Sequence, residues 1–323
     1  MTQLRKPTSF ASVIAVAAGL APAEAQVEVL ATVGMVADVA AEIGGDCAQV
    51  TSLIGPGIDP HDYQPTASDV RRLRQAELIL HVGFDLEGRM GTILARMGQT
   101  RPVVAVAEAA AAPEALLFEA PEVVDPHLWM DVSLWARTIP VISEALTEQA
   151  PDCAPAMAQR AAEYGVKLEA LDAWVAETLA TVPSEARVLV TAHDAFSYFA
   201  RAYDFGLSEA IEGISTESEA SIADIRAVAR IVRDLEVPAV FTETTINPRT
   251  IEALVAEVRA MGHEVTIGGA LFSDAPGAAD TPEGSYIGMI RANTITIASA
   301  LGGAAVPLPT ELTDWAARWG IED

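Results

Sequence analysis

Histidine is scarce in this chain, five among 323 residues, yet two of the five occupy the same tripeptide, Asp59-Pro60-His61 and Asp125-Pro126-His127. Each proline fixes φ ahead of its histidine and removes a backbone donor, so the ring is presented from a stiff turn. A third histidine, His193, closes the run RVLVTA (187–192). Neutral imidazole offers a lone pair to borderline divalent metals. Three such nitrogens with one carboxylate form an N₃O set that suits Zn²⁺ or, with a bidentate carboxylate, Mn²⁺. Taken singly, each histidine reads as an ordinary core or surface residue; three in equivalent positions point to a metal. The carboxylate candidate is Asp274, in GGALFSDAPG just past EVTIGG (264–269). On spacing alone it reads equally as a plain loop aspartate. His81, in LILHVG, reads as structural, and His263, after Gly262, as a surface turn residue. Ligating histidines usually donate their other ring nitrogen to a carboxylate or carbonyl. Asp131, Asp194 and Glu243 are candidates for that role, with capping or solvation equally open.

The elements that must carry these side chains follow from periodicity. Short β-branched runs, VEVLATV (27–33), VTSLI (50–54), LILHVG (78–83) and VVAVA (103–107), alternate with helical stretches in the first half. The alternation returns with RVLVTA (187–192), PAVFTE (238–243) and EVTIGG (264–269), flanked by amphipathic segments such as 221–235 and 250–261. These read as βαβ units, an α/β protein of two lobes with mainly parallel sheets flanked by helices. Between the halves, Met157, Ala161, Tyr164, Leu168, Leu171, Val175 and Leu179 recur at helical intervals. They predict one helix from Ala154 to about Leu179, roughly 39 Å long at about 1.5 Å per residue, ended before Pro183. The division is 26–153 for the first lobe, 154–182 for the linking helix and 183–323 for the second. The alanine-rich segment 108–120 reads as a helix plus a surface loop. All three histidines then fall at strand ends or in strand-to-helix loops, where open α/β sheets place their ligands. His61 precedes a helix whose cap pattern is Thr66 with Asp69.

The amino terminus carries Arg5 and Lys6, an apolar run of about a dozen residues and the triplet Ala23-Glu24-Ala25, a secretory signal over 1–25. No cysteine stands at the cleavage point, so no lipid anchor is expected, and no later apolar run reaches the roughly 20 residues of a membrane span. A soluble periplasmic chain is expected. A net charge of −25 repels phosphate backbones and anionic lipid, which makes nucleic acid and membrane surfaces poor partners and a cationic ligand a better one. Cys47 and Cys153 could pair in an oxidising compartment, but sequence does not supply their separation.

DPHDYQPTASDV, DPHLWMDV, VLVTAHDAFSYFARAY, STESEAS, FTETTI and LFSDAPGAADTPEGSYIGMIRANTITI resemble, in order and spacing, the TroA-like solute-binding proteins of bacterial zinc and manganese ABC importers. The likeness covers nearly the whole chain after the signal. It implies the helical-backbone metal-receptor fold, two α/β lobes joined by one long helix. It also implies a buried divalent ion held by His61, His127, His193 and Asp274, two ligands from each lobe. The implied partners are an ABC permease and its ATPase subunit, and a monomer is expected. In this family a histidine at position 193 rather than glutamate favours zinc, whereas the lack of a histidine-rich loop in AAAPEALLFEAPEVV argues against a dedicated zinc scavenger. The expectation is tighter zinc binding, with Zn²⁺ or Mn²⁺ as cargo. A zinc-dependent hydrolase is the rival class, since three nitrogen ligands with an open position also describe catalytic zinc. HExxH, GxSxG and GxxxxGK[ST] are all absent, and a fourth protein ligand at Asp274 closes the coordination sphere.

Overall fold

The structure, a computed structural model, describes residues 26–218 and 220–321. The expected signal segment, 1–25, lies outside the described residues. The first half runs β1 (Val27–Ala31), α1 (Gly34–Gly44), β2 (Ala48–Ser52), α2 (Ala67–Gln75), β3 (Leu78–His81), α3 (Gly91–Met97), β4 (Val103–Ala105) and α4 (Val106–Ala110). Its strands form one parallel sheet in the order β2-β1-β3-β4. β1 and β3 are buried along almost their whole length, as strands covered on both faces must be. The Thr66–Asp69 pattern forms a reciprocal capping box at the start of α2.

The alanine-rich segment ends differently from the expectation. After α4 the chain makes a short antiparallel ribbon, β5 (Phe118–Ala120) with β6 (Val123–Val124), where a loop was expected. The strands are only two or three residues long and lie at the surface, so no period marks them in the sequence. Then come α5 (Val132–Trp135), α6 (Thr138–Gln149) and α7 (Ala154–Leu179). α7 has the 26 residues its periodicity indicates, with Pro155 in its first turn. It buries Met157, Tyr164, Leu168, Leu171, Trp174, Val175 and Leu179.

The second half contains β7 (Val188–His193), α8 (Ser197–Ala202), β8 (Leu207–Glu212), α9 (Ile222–Asp234), β9 (Ala239–Glu243), α10 (Arg249–Ala260), β10 (Thr266–Leu271), α11 (Tyr286–Ala300) and α12 (Thr313–Trp319). β7 pairs in parallel with β8 and β9 with β10, and β7 lies beside β9. β8 is a strand that sequence reasoning missed. It is half-buried throughout except for Ile211 and shows no apolar run.

One apolar core passes through both halves, from β1 and α1 through α7 to α8, α11 and α12; a smaller core lies between β7, β9, α9 and α10. α11 packs on α7 and also touches α1. At their junction Asp38 of α1 accepts from Tyr164 Oη and from the Tyr286 backbone N–H, each at 3.0 Å. The segment after α11 returns along α7, where Trp174 Nε1 donates to the Val306 carbonyl at 2.8 Å. Among the described residues no helix is long and apolar enough to cross a membrane.

Cys47, just after α1, is disulfide-bonded to Cys153, just before α7, across 106 residues of chain. Closing a loop of that length removes denatured-state entropy worth about 3–5 kcal/mol. Replacing both cysteines by serine should therefore lower the free energy of urea unfolding by about that amount; unchanged unfolding would show that the bridge contributes nothing to stability.

Candidate metal centre

His61 ends the turn after β2, where Asp59 Oδ1 accepts the His61 backbone N–H at 2.8 Å. His127 repeats the device, with Asp125 Oδ1 accepting its backbone N–H at 3.0 Å. The repeated tripeptide thus uses its aspartate to fix the backbone of the histidine two residues on, an Asx-type turn. Beyond that the two copies diverge. Asp125 also lies 2.7 Å from His127 Nδ1, whereas Asp59 Oδ2 accepts from Thr216 Oγ1 of the second half at 2.5 Å.

His193 is the last residue of β7. Glu243, the last residue of β9, receives the Ala192 and His193 backbone N–H groups on Oε1 at 2.8 and 2.9 Å. Its Oε2 lies 2.5 Å from His193 Nδ1. Asp274 follows β10, on a backbone held from two sides. Asn293 of α11 both donates to and accepts from the Phe272 main chain, at 2.7 and 2.8 Å, and Trp129 Nε1 donates to the Ser273 carbonyl at 2.8 Å.

These segments bring one donor atom of each of His61, His127, His193 and Asp274 within 4.8 Å of all the others. The Nε2 atoms of His61 and His127 are 3.3 Å apart. Asp274 carboxylate oxygens stand 3.7 Å from His61 Nε2, 3.3 Å from His127 Nε2 and 3.1 Å from His193 Nε2. Bonds of about 2.0–2.1 Å to a tetrahedral ion place neighbouring donors about 3.3 Å apart, the middle of this range. All four side chains are buried, His61 at 3 % exposure being the most open. Of the four, His61 alone lines the cavity of about 680 Å³ beside the site, with Arg89, Glu119, Glu122 and Glu217 among its walls.

Electrostatics sort the three imidazoles. Burial lowers the His61 pKa to about 3, Asp274 opposing the shift, so that ring is neutral. Burial also opposes charge on His127, but Asp125 and Asp274 outweigh it and raise the pKa to about 9. His193 is raised well above its ordinary value, burial again being outweighed by Asp274 and Glu243. The Asp274 carboxyl is held well below the usual carboxylate range; burial works against this, and His193 and His127 overcome it. The carboxylates beside Nδ1 of His127 and His193 hold the ring proton there and leave Nε2 to face the centre.

Of the three expected carboxylate partners, Glu243 takes that place. Asp131 does not: it caps α5, accepting from Leu134 N–H and Ser133 Oγ. Asp194 accepts from Ser197 Oγ and serves as a turn residue. The partner of His127 is Asp125, inside the motif itself, and the recurrence of Asp two residues before His was the signal for it. His81 stands apart from the group, its Nδ1 3.4 Å from Glu87 Oε2. His263 is less of a surface residue than expected: half-buried, it places Nε2 2.9 Å from the Val237 carbonyl.

Residues 29–300 match the family described as ZnuA, "Zinc-uptake complex component A periplasmic". The chain belongs to the ZnuA family. The "Zinc-binding protein TroA" of Treponema pallidum is 43 % identical over 281 residues, 87 % of this chain and 91 % of that protein. The "Manganese-binding lipoprotein MntA" of Bacillus subtilis is 40 % identical over 281 residues, 86 % of this chain and 91 % of that one. The solved structure of the periplasmic zinc-binding protein TroA from Treponema pallidum superposes with a TM-score of 0.83 at 42 % identity, covering 86 % of this chain and 99 % of that one. The ZnuA relationship thus spans the sheets, α7 and every residue of the His₃Asp group.

A metal held by these imidazoles would compete with protons. His127, raised to about 9 from 6.5, stabilises the fold fully below about pH 6.5 when no ion is bound, and that contribution is lost as pH rises through about 9. An ion must displace the same proton, so affinity should climb steadily from pH 6 to about 9, with protons released to the buffer at pH 7. Calorimetric titration in buffers of different ionisation enthalpy measures this. A pH-independent affinity would exclude imidazole ligation.

Proposed function

We propose that this chain captures Zn²⁺ or Mn²⁺ in the periplasm and delivers it to the permease of an ABC importer, using His61, His127, His193 and Asp274 as its ligands. The observation that carries the reading is Asp274. It is 1 % exposed, its oxygens face the Nε2 atoms of His61, His127 and His193, and no backbone N–H or hydroxyl donates to it among the described residues. A buried anion served only by ring nitrogens needs positive charge among them, which the protons on His127 and His193 provide when no ion is bound. A divalent ion among three nitrogens and this carboxylate supplies that charge.

The cargo follows from the donor set. Three nitrogens and one oxygen place the site on the borderline-soft side, where zinc binds more tightly than manganese along the Irving–Williams order. The relatives named for zinc and for manganese bracket the same choice. All four ligands come from one chain, so a monomer is complete as a receptor. In this reading 26–153 and 183–323 are the two lobes and 154–182 the linking helix, and the signal of residues 1–25 directs export. The hydrolase alternative is disfavoured by the same geometry: four protein ligands fill a tetrahedral sphere and leave no position for an activated water. The protein is read as a binding component, not an enzyme.

Asp274→Ala and His127→Ala should each weaken Zn²⁺ binding by about 100-fold or more, at the upper end of what loss of a metal-site interaction costs. Circular dichroism should stay unchanged, because the sheets form without the ion. Competition titration against a chromophoric chelator reads the affinity, and wild-type values for both variants would sink the assignment.

A further inference from the structure

Glu87 is a buried carboxylate, 2 % exposed, that the metal centre as described does not use. Its oxygens gather Thr32 Oγ1 at 2.8 Å, the Val82 N–H at 2.7 Å, the Gly83 N–H at 3.3 Å and His81 Nδ1 at 3.4 Å. It therefore ties the ends of β1 and β3 to the loop that follows β3. That loop is conformationally expensive: Gly83, Phe84 and Asp85 have φ of 93°, 52° and 58°, and Gly88 has φ of 40°. Consecutive non-glycine residues in the left-handed region persist only where the surroundings over-determine them. Here the bonds to Glu87 do so, helped by Phe84 N–H donating to Glu108 Oε1 at 2.6 Å.

The loop delivers Gly88 against the metal centre. A methyl group on Gly88 would lie 2.5 Å from the His61 carbonyl oxygen, a backbone atom that no rotamer change can move aside. His61 is also the most exposed of the four donors and lines the cavity. Its backbone bond to Asp59 comes from within its own turn, so Gly88 is a separate wall behind it.

We infer that Glu87 is a positioning residue for metal binding: it fixes the 83–88 loop, and Gly88 at the end of that loop sets where His61 presents its ring. The inference rests on His61 being a ligand.

The test uses the full chain and four variants, Gly88→Ala, Glu87→Gln, His61→Ala and the double variant Gly88→Ala/His61→Ala. Zn²⁺ affinity and the visible absorption of bound Co²⁺ are measured, together with thermal unfolding without metal. Gly88→Ala should weaken Zn²⁺ binding about tenfold or more, the usual cost of disturbing what orients a ligand. Its Co²⁺ spectrum should move toward that of His61→Ala. The double variant should bind no more weakly than His61→Ala, because the two changes act on one interaction. Glu87→Gln keeps the side-chain shape but loses an acceptor; it should show the same spectral shift and covers the case in which Gly88→Ala does not fold. Wild-type affinity and Co²⁺ spectrum in either folded variant would overturn the inference, as would additive losses in the double variant. Wild-type affinity in His61→Ala would overturn the ligand assignment as well, whereas a weakened His61→Ala beside a wild-type Gly88→Ala overturns the positioning role alone.

Discussion

A carboxylate in a protein interior must be compensated, and Asp274 is compensated almost entirely by imidazoles. Placing an anion at 1 % exposure costs several kcal/mol unless charge or hydrogen bonds offset it. The chain could have offered backbone N–H groups, as it does to Glu87 and Glu243. Instead it aims three ring nitrogens at Asp274 from three separate segments. Much of the surrounding structure serves to hold that convergence. Asn293 clamps the strand end before Asp274, Trp129 ties the second DPH turn to the same segment, and Tyr286 Oη donates to the Trp129 carbonyl. A misplacement in any of these would leave a buried charge facing the wrong atoms.

The secondary carboxylates divide the remaining work. Asp125 and Glu243 each touch both the backbone N–H and the Nδ1 of their histidine, so one side chain sets ring orientation and tautomer together. Among the described residues no carboxylate stands at the Nδ1 of His61. Asp59 holds its backbone N–H with one oxygen and reaches across to Thr216 with the other, and Gly88 stands against its carbonyl. The centre therefore has two imidazoles fixed by carboxylates and one fixed by turn geometry.

Much of this was legible in the sequence because it depends on local rules. The parallel strands announced themselves as β-branched runs, α7 by its period over Met157 to Leu179, and the start of α2 by Thr66 and Asp69. The three histidines were legible as a group through their positions at strand ends, while Asp274 needed family likeness to be singled out. What failed to show was decided by neighbours distant in sequence. β8 is half-buried along its length except for Ile211 because it pairs with β7 alone among the described residues, so no apolar stripe marks it. Asp194 stands next to His193 and Asp131 four residues after His127, yet local turns claimed their oxygens. The Cys47–Cys153 pair required the approach of α1 to α7, which composition cannot supply.

The unbroken apolar core has a bearing on how the two halves can move. Val39 of α1, Leu168 of α7 and Ile290 of α11 belong to one continuous packed body. Swinging the halves apart like a clamshell would wet that seam, at about 2.5 kcal/mol for every 100 Å² of oil-like surface uncovered. A displacement confined to the turns around His61 would leave the seam dry, so the rim of this vault is cheaper to move than its hinge.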